Sequence, residues 1–385
     1  MDAYIYNEAN AMYDELVRWR RDLHKIPELG LELPQTAAYV MDRLKEFNIP
    51  FETKVHGNCI VAYLGKGDRC LLLRADMDGL PVHEETALAF ASQNGCMHAC
   101  GHDLHTASLL GAAKILKAHE NELKGTIKLL FQPGEEICAG ARAAIKDNVL
   151  NNPKVDAAFA MHVSSGCPVG MLAYGTITNA AVYGFKILIT GKGTHGAMPE
   201  NGIDPINVGV HIYLGLQELI ARECASGKEV TLTIGQFNSG AANNIIPETA
   251  VLQGTLRTFD DETRSYLIQR IHEIVHDLSK AFRARGEVET LIDIPAVCCD
   301  EQRTEQLAHT FETMDKNLKI IPGLHITGSE DFAVFSREVP ASFFLIGAQD
   351  DSETIYAHHN PKVCFNEKAL PIGTAVYACA ALDFQ

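Results

Sequence analysis

Short apolar runs alternate with longer stretches of helical spacing through the first 180 residues. The runs at 59–64, 70–73, 126–132 and 155–161 read as strands, and helical spacing covers 8–25, 36–47, 105–119 and 139–149. Each of the last three strands passes at once into a polar cluster: RADMDGLP, PGEE and HVSSG. Alternation of this kind predicts an α/β sheet, whose chemistry collects beyond the carboxyl ends of the strands. The polar clusters all fall at such ends.

From about residue 180 the order changes to strand 183–190, helix 205–222, strands 230–237 and 249–258, helix 262–285 and strand 288–294. That is the β-α-β-β-α-β order of a ferredoxin-like unit. Past residue 299 the alternation resumes with a helix at 304–316, the loop GSEDF, a strand at 341–346, the segment HHNP and a final helix. The expected architecture is a two-domain α/β protein. A catalytic domain formed by 1–180 and 295–385 is interrupted by a smaller domain at 181–294.

Length agrees, since 385 residues is long for one hydrophobic core. A formal charge of −16 argues against a nucleic-acid partner, because neutralising phosphates requires clustered Lys and Arg; bound cations would offset part of it. No run of about 18 apolar residues marks a membrane span. The opening MDAYIYNEANAMYDEL lacks the basic and then apolar regions of a signal peptide. Eleven scattered cysteines do not form a disulfide framework and fit a reducing compartment. A cytoplasmic protein is expected.

The densest chemistry lies in CMHACGHDLH, residues 96–105. Cys100 and His102 place a thiolate and an imidazole two residues apart, where one loop can bring both to an ion, and Cys96 and His105 are the expected bystanders. FQPGEE presents Glu135 and Glu136 side by side at a turn. Such pairs are ordinarily surface charge. Next to a metal they divide the labour: Glu136 binds the ion, while Glu135 takes a proton from water and passes it to a leaving amine. His162 ends the strand AAFAMHV and His359 lies in AHHNP, so both can complete a sphere of N, O and S donors. Zn, Mn, Co and Ni all suit such a set, and the thiolate tilts the choice toward Zn. Asp76 and Asp78 in RADMDGLP are either caps or carboxylates that orient a histidine. In the smaller domain, His195 in GKGTHGAMPE, Asn244 in NNIIP and Arg257 in GTLRT lie near strand ends, where they can hold a substrate carboxylate and a developing oxyanion.

These motifs coincide with a known family. Through LHKIPELGLELPQTA, RADMDGLP, MHACGHDLH, FQPGEE, GKGTHGAMPENGIDP, NNIIPETAVLQGTLRT, GSEDFA and HHNP the chain resembles the amidohydrolase branch of the aminoacylase and carboxypeptidase metallopeptidases. That branch includes hippurate hydrolases, N-acetyldiaminopimelate deacetylases and plant hydrolases of indole-acetyl amino acids. The resemblance implies two divalent metal ions held by Cys100, His102, Glu136, His162 and His359, with Glu135 as general base. It also implies a homodimer built through the smaller domain, which acts as a lid and brings His195 to the site. It selects His359 over His358, and leaves Asp76 and Asp78 both open as the catalytic aspartate. Ile137, Cys138 and Ala139 stand where many relatives carry a glycine after the glutamate pair, and Glu200 stands where many carry a histidine. Both departures bear on the pocket rather than on the reaction.

The expected activity is hydrolysis of the amide bond of an N-acyl amino acid. A metallo-carboxypeptidase or dipeptidase acting on short peptides is the nearest alternative. A hydrolase with Cys100 as nucleophile, activated by a histidine, is a further one. A catalytically silent metal-binding homologue is disfavoured by the intact Glu135.

Overall fold

The computed structural model describes residues 2–384, so the two terminal positions of the expected first domain lie outside it. The chain divides into two compact units, one formed by 1–178, 297–325 and 331–385, the other by 179–296 and 326–330.

The first unit is built on a mixed eight-stranded sheet. From one edge its order is Phe51–Lys54, Cys59–Leu64, Thr126–Gln132, Cys70–Asp76, Ala157–Ser164, Ala341–Gly347, Met171–Tyr174 and Lys319–Pro322. The four central strands, from Thr126–Gln132 to Ala341–Gly347, run parallel. Their carboxyl ends therefore deliver Asp76, Gln132 and His162 to one side of the sheet. The outer strands Phe51–Lys54, Met171–Tyr174 and Lys319–Pro322 escape the hydropathy pattern. Each is only four residues long, and the last ends on a proline that an edge position tolerates.

Helix His102–Ala118 carries little amphipathic signal because it is buried almost all round. It packs between the sheet and helices Tyr13–His24 and Ala369–Leu382, the latter wholly buried. Small residues permit the approach: a Cβ on Gly111 would come within 2.6 Å of Leu16 and 2.7 Å of Thr374. Helical spacing over 8–25 resolves into two helices, Asp2–Ala11 and Tyr13–His24, with a turn at Met12.

The second unit holds a four-stranded antiparallel sheet in the order Val230–Ser239, Thr249–Thr258, Ala181–Thr190, Arg285–Ile294. Helices Pro205–Glu218 and Asp261–Ala281 cover one face through Ile187, Ile189, Ile212, Leu252, Ile271 and Val275. Asp260 caps the second helix by accepting the Thr263 N–H. That helix stops at Ala281 rather than at 285 because Arg283 takes a left-handed φ of 65°. Among the described residues, no helix is long and apolar enough to cross a membrane.

Helix His102–Ala118 starts three residues earlier than its spacing suggests, so His102 occupies its first turn rather than a loop. Gly101 makes that start possible. Its φ is +87°, and a Cβ there would lie 2.5 Å from the Val163 side chain. Gly101→Ala is expected to lower the unfolding free energy by about 2 kcal/mol, from left-handed strain plus the clash. Denaturant titration of the variant checks this, and unchanged stability would remove Gly101 from the account.

Candidate metal centre

Asp78 follows the strand Cys70–Asp76 by two residues and is buried. Its carboxylate accepts two backbone N–H groups, Glu135 on Oδ1 and Glu136 on Oδ2, both at 3.0 Å. Its carbonyl oxygen lies 2.9 Å from His102 Nδ1. A carbonyl only accepts, so Nδ1 carries a proton toward Asp78 and Nε2 is the atom that points away. That Nε2 is buried without a hydrogen-bond partner, and so is Glu136 Oε1. The two unpartnered atoms face each other across 3.8 Å. Two buried polar atoms left without partners call for a cation between them, one that displaces any proton on Nε2. Their separation suits two ligands of one ion, each about 2.0–2.2 Å from it.

Cys100 joins a second set of donors to the first. Its Sγ groups with Glu136 and His359, and separately with His162 and His358, the atoms of each set lying within 4.8 Å of one another. Sγ is 3.5 Å from both His162 Nε2 and His358 Nδ1. His162 has its Nδ1 2.6 Å from the Val163 carbonyl, which leaves Nε2 as the free lone pair. His358 differs. Its Nε2 accepts the Ser165 N–H at 3.2 Å, so the neutral ring turns an N–H, not a lone pair, toward Cys100. His359 sits at a left-handed φ of 66° with Nε2 3.5 Å from Glu136 Oε2. Strain of that kind at a polar cluster is a mark of functional geometry.

Of the expected bystanders, His105 lies within 4.8 Å of the donor atoms of His102 and His162. It is occupied at both nitrogens, by Asp76 Oδ1 at 2.5 Å and by the Val163 N–H at 2.9 Å. Cys96 is half-buried and belongs to none of the donor groups.

A second layer of buried charge backs these groups. Arg74 donates to Asp76 and to Asp331, each at 2.7 Å. Asp331 also accepts from Gln132 Nε2 at 2.9 Å and from the Ala141 N–H at 2.8 Å, while its own N–H lies 3.4 Å from Glu135 Oε1. Sequence reasoning gave no role to Arg74, Gln132 or Asp331, although RADMDGLP, FQPGEE and GSEDF contain all three.

The electrostatics favour a bound cation. Burial works against the Asp76 carboxylate, yet His102, Arg74 and His105 together hold its pKa well below the usual range. Burial pushes Glu136 up to about 7, with Asp78 and Asp76 adding to the rise against His102. Burial raises the Cys100 thiol well above its ordinary value and drives His162 well below its own, keeping that ring neutral. Burial acts against a charged His102, but Asp76 and Asp78 outweigh it and raise its pKa well above the ordinary value. A divalent cation reverses the rises at Glu136, Cys100 and His102, drawing protons off carboxyl, thiol and ring, and a neutral imidazole is the form that ligates.

His195, Asn244 and Arg257 belong to the second unit. His195 and Asn244 are neighbours: Ile245 pairs with His195, and the Gly196 N–H donates to the Asn244 carbonyl at 2.8 Å. The His195 ring is exposed and accepts the Ala197 N–H on Nδ1 at 3.1 Å. Arg257 lies elsewhere in the unit, on the strand Thr249–Thr258 opposite Val182 and Thr231, with Nη1 3.5 Å from the Thr327 carbonyl.

Known proteins are similar to this chain over most of its length. An N-acetyl-L-cysteine deacetylase of Bacillus subtilis is 38% identical, over 92% of this chain and 85% of its own. An IAA-amino acid hydrolase (ILR1-like 2) of Arabidopsis thaliana is 34% identical, over 97% and 86%. Among solved structures, the Bacillus subtilis YXEP protein, a dinuclear metal binding peptidase, superposes with a TM-score of 0.82 at 31% identity, covering 97% of this chain and 98% of that one. Residues 72–383 match the family described as Peptidase family M20/M25/M40. By this match and by those relatives, the chain belongs to the M20 peptidase family of metal-dependent amide hydrolases.

Proposed function

We propose that this protein hydrolyses the amide bond of N-acyl amino acids, releasing a carboxylic acid and a free amino acid. The observation that carries the reading is the facing pair of buried, unpartnered atoms, His102 Nε2 and Glu136 Oε1, one residue from the buried Glu135. The deacetylase and the IAA-amino acid hydrolase among its relatives support the substrate class.

Cys100, His102, Glu136, His162 and His359 are the proposed ligands of two divalent ions, Zn, Mn, Co or Ni, with Cys100 favouring Zn. His359 is preferred to His358 because the Ser165 N–H already occupies the His358 acceptor. Such ions supply Lewis acidity to the scissile carbonyl and acidify the attacking water. Glu135 takes the proton from that water as its oxygen bonds to the carbonyl carbon, then delivers it to the nitrogen as the C–N bond breaks. Of the two aspartates left open, Asp78 is the proposed catalytic one. It orients His102 and holds the Glu135–Glu136 turn, whereas Asp76 is committed to Arg74 and His105.

The second unit, proposed as an inserted domain at 181–294 within a catalytic domain of 1–180 and 295–385, is read as a ferredoxin-like lid. Its β-α-β-β-α-β order and antiparallel sheet support that reading. In this role His195, Asn244 and Arg257 bind the substrate carboxylate and the oxyanion. The same unit is proposed to form a homodimer. Helix Pro205–Glu218 exposes Ile206, Val210, Tyr213 and Leu214, and the neighbouring strand Val230–Ser239 leaves a sheet edge open. Eleven free thiols support a cytoplasmic location.

Glu135→Ala is expected to retain its metal by elemental analysis while kcat falls about 10²- to 10⁴-fold; a near-native rate would remove the base from the mechanism. Chelation is expected to abolish hydrolysis of acetyl, benzoyl, longer acyl and indole-acetyl amino acids, with Zn, Mn, Co or Ni restoring it. Activity that survives chelation but not thiol alkylation would favour Cys100 as a nucleophile, and silence across the panel would favour a non-enzymatic homologue. In sedimentation, Leu214→Glu is expected to convert a dimer to a monomer, and a wild-type monomer would contradict the proposed assembly.

A further inference from the structure

Residues 85–101, which lead into the metal centre and carry Cys100, contain no helix and only one isolated bridge, Leu80 to Met97. A segment of that length needs something other than a backbone ladder to hold a ligand in place. Its two ends are marked by buried carboxylates. Glu84 lies just before it, and Asp103 just after, next to His102.

His24, the last residue of helix Tyr13–His24, stands between them. Its Nδ1 is 2.8 Å from Asp103 Oδ2 and its Nε2 is 3.2 Å from Glu84 Oε1. Carboxylate oxygens at both nitrogens make both of them donors, so the ring is an imidazolium joining the two ends. Burial and Arg20 act against this charge, but Asp103 and Glu84 outweigh them and the His24 pKa is raised.

The surroundings reinforce the clip. Arg20 Nε donates to the same Asp103 oxygen at 2.7 Å, and its Nη1 reaches Glu367 at 3.3 Å. Phe90, from within the segment, stacks under the Arg20 guanidinium at 4.8 Å and meets the His24 ring edge-on at 5.4 Å. Glu84 in turn accepts the Ser92 N–H at 2.7 Å. Buried ion pairs add little net stability compared with apolar packing, and their best-attested use is to specify one arrangement.

We propose that His24 is a positioning residue for the metal centre, clipping Glu84 to Asp103 and so fixing the segment that presents Cys100 and His102. Its ring nitrogens bond to Asp103 and Glu84, not to the proposed ligands. The inference rests on the proposed ligand set, but its effect on the segment's order stands independently of it.

The test compares purified full-length His24→Gln, Asp103→Asn, Glu84→Gln and the His24→Gln/Asp103→Asn double variant with wild type. Zinc dissociation constants are measured by competition with a chromophoric chelator, and amide hydrogen exchange is followed across 85–102. Glutamine bonds to one carboxylate but cannot bridge both. Each single variant is expected to bind zinc about 10- to 100-fold more weakly and to exchange faster over the same amides. The double variant is expected to be no worse than the worse single, since both break one clip. Unchanged zinc affinity and unchanged exchange in the segment, even with a lower melting temperature, would reduce His24 to a core residue and overturn the proposal. Faster exchange in variants of a wild type that binds no zinc would keep the clip while refuting the ligand set. A variant that fails to fold is replaced by His24→Asn, judged on the same two readouts.

Discussion

The geometry of the candidate centre depends on one carboxylate, Asp78. It grips the backbone of the Glu135–Glu136 turn with both oxygens, while its carbonyl orients His102. Fifty-seven residues of chain separate Asp78 from Glu135, yet a single side chain registers the end of one strand against the turn after the next. Hydrogen bonds to an ionised acceptor are the strong kind, and these two are buried. A side chain at 78 that cannot accept both N–H groups would release the glutamate pair, while the backbone carbonyl would still face His102.

Around this clamp the protein concentrates charge that is expensive to bury. Arg74 answers Asp76 and Asp331, and His24 with Arg20 answers Asp103 and Glu84. What remains unanswered is the inner set: His102 Nε2 and Glu136 Oε1 without partners, a protonated Cys100, a neutral His162. The outer charges are paired and the inner donors are not, as expected of a site completed by cations from solution. The net charge of −16 is in keeping with that.

The strand ends that carry the chemistry were legible in the sequence because apolar runs break abruptly into polar clusters there. Glu135, Glu136 and His162 were found by that rule, Cys100 and His102 by the crowding of thiols and imidazoles in CMHACGHDLH, and the structure brings their donor atoms into overlapping groups. What was not legible depends on distances across the fold. RADMDGLP offers two aspartates that look alike in sequence; only the packing of Arg74 and His105 against Asp76 sets Asp78 apart. His358 and His359 adjoin in sequence, and a single backbone N–H from Ser165 distinguishes them. Asp331 lay inside a quoted motif without a role, because its partners Arg74 and Gln132 come from strands about 200 residues away or more. The edge strands were missed for a different reason: four residues with half-exposed alternation give no periodic signal.

The central claim is that two ions are held around Cys100 by groups aligned on Asp78. Anomalous diffraction from zinc-loaded crystals, collected on both sides of the absorption edge, measures this directly. The account predicts two peaks per chain, bounded by Cys100, His102, Glu136, His162 and His359. A single peak, or peaks whose nearest donors exclude Cys100, would contradict it.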